Sequence, residues 1–216
     1  MIKDNVLQIK SELHAQIIVA ATKYVGVDEM RELLACGIHD FGENRAQDFF
    51  DKHELLKDEQ ITWHFIGHLQ TNKVRKIINL IHFLHSLDRD SLAEAIQKER
   101  VSVLDCFVEV NISGEPSKTG MFPEEVTSFI QNCSKYDKIR IVGLMGMARL
   151  GADLEETYQE FKSLRNLQEK IKALKLAYAP MEYLSMGMSQ DYKIAILAGA
   201  THLRLGTILF RKEESR

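Results

Sequence analysis

Cysteine, proline and long apolar runs are all scarce in this chain of 216 residues. The three cysteines, Cys36, Cys106 and Cys133, are odd in number and far apart, with no C-x-x-C spacing, which argues against a disulfide framework or a zinc or redox pair. Their apolar neighbours predict buried small hydrophobes in a reducing compartment. The three prolines, Pro116, Pro123 and Pro180, leave no proline-rich linker, and neither a low-complexity stretch nor a sequence repeat occurs. No apolar run approaches the roughly 18 residues of a membrane span. The opening MIKDNVLQIKSELH interleaves charges too densely for a secretory signal, so a cytoplasmic protein is expected. Lysine and arginine total 28 against 31 acidic residues, a net charge of −3. That balance provides no general attraction to nucleic acid or to an anionic membrane. The eight histidines show no HExxH-like pairing, and no metal is expected.

What is present is an ordinary globular composition, 45% hydrophobic and 27% charged, enough to bury a core in one domain over 1–216. Short β-prone runs recur at 17–21, 38–42, 61–66, 81–86, 104–112, 139–145, 182–186 and 201–206. Helical signals fill the gaps. Ile2, Val6, Ile9 and Leu13 make one face of a leading helix. Asp28 is placed to cap a helix that Gly37 ends. Ser91-x-x-Glu94 has the form of a capping box, Pro123 suits a first helical position, and Gly199 closes a short helix. The stretch 154–175 carries Tyr158, Phe161, Leu164, Ile171 and Leu174 on one side. Eight strands alternating with helices predict an α/β fold, a single (β/α)8 TIM barrel with an additional N-terminal helix. A doubly wound open sheet fits the same alternation, and the count of eight favours closure.

In such barrels chemistry sits at the carboxyl ends of the strands. Thr22-Lys23-Tyr24 follows the first run. A lysine leaving a buried strand would pay desolvation, which lowers its pKa and makes its amine a nucleophile toward carbonyls. Phe41-Gly42-Glu43-Asn44 follows the second run; Gly42 would admit close backbone approach or a sharp turn, and Asn44 offers a donor and an acceptor. His64 reads as a hydrogen-bonded barrel histidine. After the last two runs come Ser185, Gly187, Ser189 and Asp191, then Arg204, Gly206 and Thr207. Small and hydroxyl residues there leave backbone N–H groups open to an anion, the place where barrels often hold phosphate. Ser189 could equally be an N-cap, and Gly206-Thr207 a tight turn. A lysine facing a phosphate site suggests a phosphorylated aldehyde held as an imine: pyridoxal phosphate first, a phosphosugar of a Schiff-base aldolase second.

The ordered set Ala21-Thr22-Lys23, Phe41-Gly42-Glu43-Asn44, Trp63-His64-Phe65-Ile66-Gly67 with Gln70-x-Asn72-Lys73, Asn111 to Lys118-Thr119-Gly120, Gly143-Leu144-Met145, Ser185-x-Gly187-Met188-Ser189-x-Asp191 and Arg204-x-Gly206-Thr207 resembles the pyridoxal phosphate homeostasis proteins. The resemblance implies a barrel like the cofactor domain of alanine racemase, with pyridoxal 5′-phosphate (PLP) as a Schiff base on Lys23. It places Ser189, Gly206 and Thr207 at the phosphate with Ser185 close by, Arg204 at the phosphate or the ring nitrogen, and Asn44 near the ring. Many relatives read Val-Ser-Lys where this chain reads Ala-Thr-Lys.

Two functions fit such a site. The first is a non-catalytic PLP carrier, with PLP-dependent apoenzymes as recipients and a monomer as the simpler state. The second is an amino-acid racemase, which needs acid/base groups on both faces of the α-carbon. In alanine racemases a tyrosine from a partner's additional carboxyl-terminal domain supplies one of them. The chain ends shortly after its eighth run, and Tyr24, next to Lys23 in an extended strand, is expected to point away from it. The carrier is therefore favoured.

Overall fold

The computed structural model describes residues 1–115 and 118–211; residues 212–216, part of the expected domain 1–216, lie outside the described residues. Helix α1 (Ile2–Glu12) leads, followed by β1 (Ile17–Ala21), α2 (Val27–Ala35), β2 (Asp40–Glu43), α3 (Ala46–Leu55), β3 (Thr62–Phe65), α4 (Val74–Ile77) and β4 (Phe83–Leu87). Then come α5 (Asp90–Glu99), β5 (Leu104–Val110), α6 (Pro123–Asn132), β6 (Ile139–Gly146), α7 (Leu154–Lys172), β7 (Tyr183–Met188), α8 (Tyr192–Leu197), β8 (His202–Leu205) and α9 (Thr207–Phe210). All eight strands fall within two residues of the apolar runs read from sequence. They pair in parallel in chain order, and β8 closes on β1 through Ile17 opposite His202 and Ala20 opposite Leu205. The sheet is a closed barrel, which rules out the open-sheet alternative. No helix among the described residues is long and apolar enough to cross a membrane.

Two cores with different chemistry result. Outside the strands, apolar helix faces pack on alternate strand residues; Phe161, Leu164 and Ile171 of α7 are fully buried this way. Each such burial is worth about 1.5–3 kcal/mol. Gln168 ties the same helix to β7 by donating to the carbonyls of Met181 and Tyr183 at 2.9 and 3.1 Å. Cys106 and Cys133 are buried as expected, while Cys36 is only partly covered. Inside the strands, Phe107, Val142 and Met145 form a small cluster flanked by Phe83, Met147 and Tyr183. The rest of the interior is polar, with His64, His85, His202, Ser185 and Arg204 all buried. A barrel of this type more often fills that space with branched aliphatics.

Several helix starts differ from the sequence reading. Helix α2 begins one residue before Asp28, and its cap is Gly26, whose N–H donates to the Glu29 carboxylate at 3.0 Å. Helix α5 has Arg89 at its cap and Ser91 inside its first turn, so Ser91-x-x-Glu94 forms no capping box. The box lies instead at α7, where Asp153 accepts from the Glu156 N–H at 2.8 Å and Glu156 accepts from the Asp153 N–H at 3.3 Å. Short motifs of this kind lose to whichever turn the apolar face needs to dock. Pro123 does open α6, and Gly37 and Gly199 take positive φ after their helices.

Candidate cofactor site

The carboxyl ends of β1, β2, β7 and β8 bring the expected residues to one side of the barrel mouth. Ser189 directly follows β7, and its hydroxyl accepts from the backbone N–H of Gly206 at 3.1 Å and of Ile208 at 3.4 Å. Ser189 is therefore not the cap of α8, which is Asp191. It marks the point on which the amide of Gly206, just after β8, and that of Ile208, in α9, converge, and Thr207 lies exposed between them. Gly187 shapes the approach from β7: its φ is +91°, and a Cβ there would sit 2.5 Å from that of Ala195. Asp191 anchors the same loop by accepting from the Met188 N–H at 2.6 Å.

Arg204 lies below this loop, within the barrel. Its Nη1 donates to the carbonyl of Ser185 at 2.7 Å and to the Ser185 hydroxyl at 2.6 Å, and its Nη2 donates to the carbonyl of Gly146 at 3.1 Å. Its Nε–H has no acceptor among the described residues. Burial pulls the guanidinium down to about 10, opposed by the Glu109 and Asp191 carboxylates, so it remains a cation at neutral pH. Glu109 is buried too; desolvation raises its pKa against a hydrogen bond from the Thr119 hydroxyl at 2.6 Å.

Gly206 lies against β1: a Cβ on it would be 3.6 Å from the Ala21 carbonyl. Two residues beyond Ala21 is Lys23, in a turn past the strand end. It is exposed and escapes the desolvation that a lysine within the strand would pay, because β1 stops at Ala21 and the chain turns before the lysine. Its ammonium stands 4.6 Å from the centre of the Tyr24 ring. That contact corrects the expectation that Tyr24 points away; strand alternation does not apply in a turn. The strand end is held from outside the barrel. Buried Glu43 accepts from the Thr22 hydroxyl at 2.5 Å and from Lys52 at 2.6 Å, and Lys52 also donates to the Thr22 carbonyl at 2.6 Å. A hydroxyl at position 22 is what this clamp uses, and serine or threonine can supply it.

Asn44, after β2, has a buried side-chain oxygen with no partner. Gly67 makes room for it, since a Cβ there would fall 2.3 Å from the Asn44 carbonyl. Gly42 makes no sharp turn; it lies within β2, and its missing side chain leaves space for Val19 and Ile66. His64 is buried and bonded to Asp40 and His85, as a barrel histidine. Sequence reasoning gave no role to His85, Asp40, Glu109 or the Ile208 N–H. The first three sit at inward-facing strand positions where alternation could have found them; the last is a backbone donor with no residue signature. Among the described residues no group of three or more histidine, cysteine or acidic side chains is arranged to hold a metal.

A closed parallel barrel in which the turn after β8 lies against the end of β1, two residues before an exposed lysine, defines the barrel class of the alanine racemase N-terminal domain, whose family model matches residues 1–213. Within that class the chain belongs to the family of pyridoxal phosphate homeostasis proteins. The protein of that name from Aquifex aeolicus is 39% identical over 196 residues, 89% of this chain and 85% of its own length. The one from Pseudomonas aeruginosa is 36% identical, covering 89% and 83%. PipY of Synechococcus elongatus has been solved without PLP (TM-score 0.92) and with PLP bound (TM-score 0.90). Each is 31% identical and aligns with 98% of this chain and all of its own. The alanine racemase of Corynebacterium glutamicum, 13% identical with a TM-score of 0.79, shares the fold; this chain spans 99% of itself and 61% of that enzyme.

Proposed function

We propose that this chain binds PLP at the barrel mouth and serves intracellular PLP homeostasis as a carrier without catalytic turnover. When bound, PLP supplies an aldehyde that an amine takes up as a Schiff base; Lys23 is that amine. The observation that carries the reading is the convergence of the Gly206 and Ile208 N–H groups on the Ser189 hydroxyl, beside β1, which ends at Ala21, two residues before Lys23. Amides aimed at one point are suited to a phosphate, with Thr207 at their edge. Arg204 is held inside the barrel by Ser185 and Gly146, and its Nε–H is left for the ring. A cation beside the ring nitrogen would disfavour its protonation and weaken the ring as an electron sink. Ser185 holds Arg204, and the unpaired oxygen of Asn44 is available to a donor on the ring. PipY, which has been solved with PLP bound, supports the choice of ligand.

An exposed amine suits a carrier, because water reaches the bond it makes and can release what it holds. The proposal takes 1–216 as one cytoplasmic, monomeric cofactor domain, with PLP-dependent apoenzymes as recipients. The contact of Tyr24 with Lys23 gives the racemase alternative one specific observation in its favour. Both groups rise from a single loop, however, and racemisation needs acid/base groups on opposite faces.

The test is an absorbance spectrum of the protein with PLP, for wild type and Lys23→Ala, before and after borohydride reduction. A visible band lost in the variant, with the reduced adduct mapped to Lys23, is the expected result; a colourless wild type with no adduct would remove PLP from the account. Amino acids added to the loaded protein are expected to exchange no α-proton with solvent. Steady exchange would select the racemase.

A further inference from the structure

We propose that Asp40, His64, His85 and Ser185 are positioning residues for Arg204, forming a one-way hydrogen-bond relay through the barrel that ties the buried guanidinium to a carboxylate at the opposite end of the sheet. Asp40 opens β2, and its side chain is 27% exposed at the amino end of the barrel. Its Oδ1 lies 2.9 Å from His64 Nε2, His64 Nδ1 lies 2.9 Å from His85 Nε2, and His85 Nδ1 lies 2.8 Å from the Ser185 hydroxyl. That hydroxyl receives Arg204 Nη1 at 2.6 Å.

The two ends set the direction. A guanidinium can only donate and a carboxylate only accept. Asp40 therefore takes the proton on His64 Nε2, which leaves His64 Nδ1 as an acceptor for His85 Nε2–H. His85 Nδ1 then accepts from the Ser185 O–H, whose oxygen accepts from Arg204. Every donor points from the cofactor side toward Asp40, with both imidazoles neutral as Nε2–H tautomers. Burial lowers the pKa of both histidines, consistent with neutral rings.

Packing holds the rings in place. His64 stacks on Phe83 with centroids 4.7 Å apart and planes 6° from parallel, and His85 lies 4.4 Å from Phe107. The interior does not satisfy every histidine, since His202 Nε2 is buried without a partner. Full pairing of His64 and His85 is thus a property of this line of residues. Among the described residues no carboxylate is within ion-pairing distance of Arg204, and a buried cation in that position is costly without polarised partners. The relay supplies them, so the place of Arg204 depends on side chains as far off as Asp40, at the other end of the barrel. The consequence for PLP rests on the preceding reading; the relay itself does not.

Histidine 15N spectra of the ligand-free protein are expected to show His64 and His85 as neutral Nε2–H tautomers with coupling across the bond joining them. A cationic His64, or a proton on His85 Nδ1, overturns the relay. His85→Phe keeps an aromatic ring, slightly larger than the imidazole, and breaks the chain. It is expected to speed solvent exchange of the Arg204 guanidinium protons by about tenfold or more, and to raise the Kd for PLP by about tenfold with a shifted absorbance band. Asp40→Asn, which keeps an acceptor, is expected to retain most of the wild-type behaviour, and Asp40→Leu to follow His85→Phe. If His85→Phe does not fold, the two Asp40 variants at the open end give the same comparison. Unchanged Arg204 exchange in every folded variant that breaks the chain overturns the proposal. A wild type that takes up no PLP removes the cofactor reading, while the histidine spectra and Arg204 exchange still decide the relay.

Discussion

The backbone N–H of Gly206 donates to the hydroxyl of Ser189 at 3.1 Å, joining two loops whose residues lie 17 apart in sequence. Adjacent parallel strands β7 and β8 end side by side, so the loops that leave them must meet. Ser189→Ala is expected to leave the folding stability nearly unchanged, because both loops stay anchored by their strands. The Kd for PLP, measured by titration of the absorbance band, should rise about tenfold from loss of one hydrogen bond to a charged group. An unchanged Kd would detach Ser189 from the anion site.

Gly187 admits no side chain. Alanine there must take φ near +91° and place its Cβ 2.5 Å from that of Ala195. The left-handed backbone and the overlap together predict a loss of roughly 2–4 kcal/mol in chemical denaturation. A loss below half of that would mean that α8 moves aside freely.

The clamp behind Lys23 gives a double-mutant test. Lys52→Met strands the fully buried Glu43 carboxylate, at a cost of about 3–5 kcal/mol. Adding Glu43→Gln removes the unpaired charge, still accepts from Thr22, and is expected to recover most of that loss. If the double variant is as unstable as the single one, packing of the Lys52 stem is the larger effect.

Acid should destabilise the barrel through its interior histidines. Burial depresses His202 from 6.5 to about 3, so the unfolded chain takes up a proton first as pH falls. The stability His202 contributes is complete above pH 6.5 and is lost progressively down to about 3. Relative to wild type, His202→Phe should gain on the order of 3 kcal/mol between pH 7 and pH 4. Parallel stability curves for the two proteins over that range would show that His202 does not stay neutral in the fold.

Strand number, order of elements and the leading helix were legible in the sequence, because apolar periodicity reports directly which residues need a core. The candidate residues were legible because they stand in or just after the carboxyl ends of the apolar runs, and the ends of parallel strands converge. Capping was less so: Asp28 and Ser91 carry the right side chains, yet the helices start where their buried faces dock. The exposure of Lys23 was not legible either: the apolar run ends at Ala21, as β1 does, but it does not report which way the chain turns as it leaves the strand.

By itself, then, the sequence determined eight alternating β/α units behind a leading helix, with Lys23 just past the first apolar run, since local patterning is enough to specify elements and their order. Tertiary structure alone decided the state of those groups. Closure of β8 on β1 set Gly206 against Ala21, two residues before Lys23, and the turn after β1 left Lys23 exposed to water. Curling the sheet turned His64, His85, Ser185 and Arg204, scattered over 140 residues of chain, toward one axis. Hydrogen bonds between such distant positions form only where the closed barrel brings their donors and acceptors within about 3 Å, a condition no local spacing encodes.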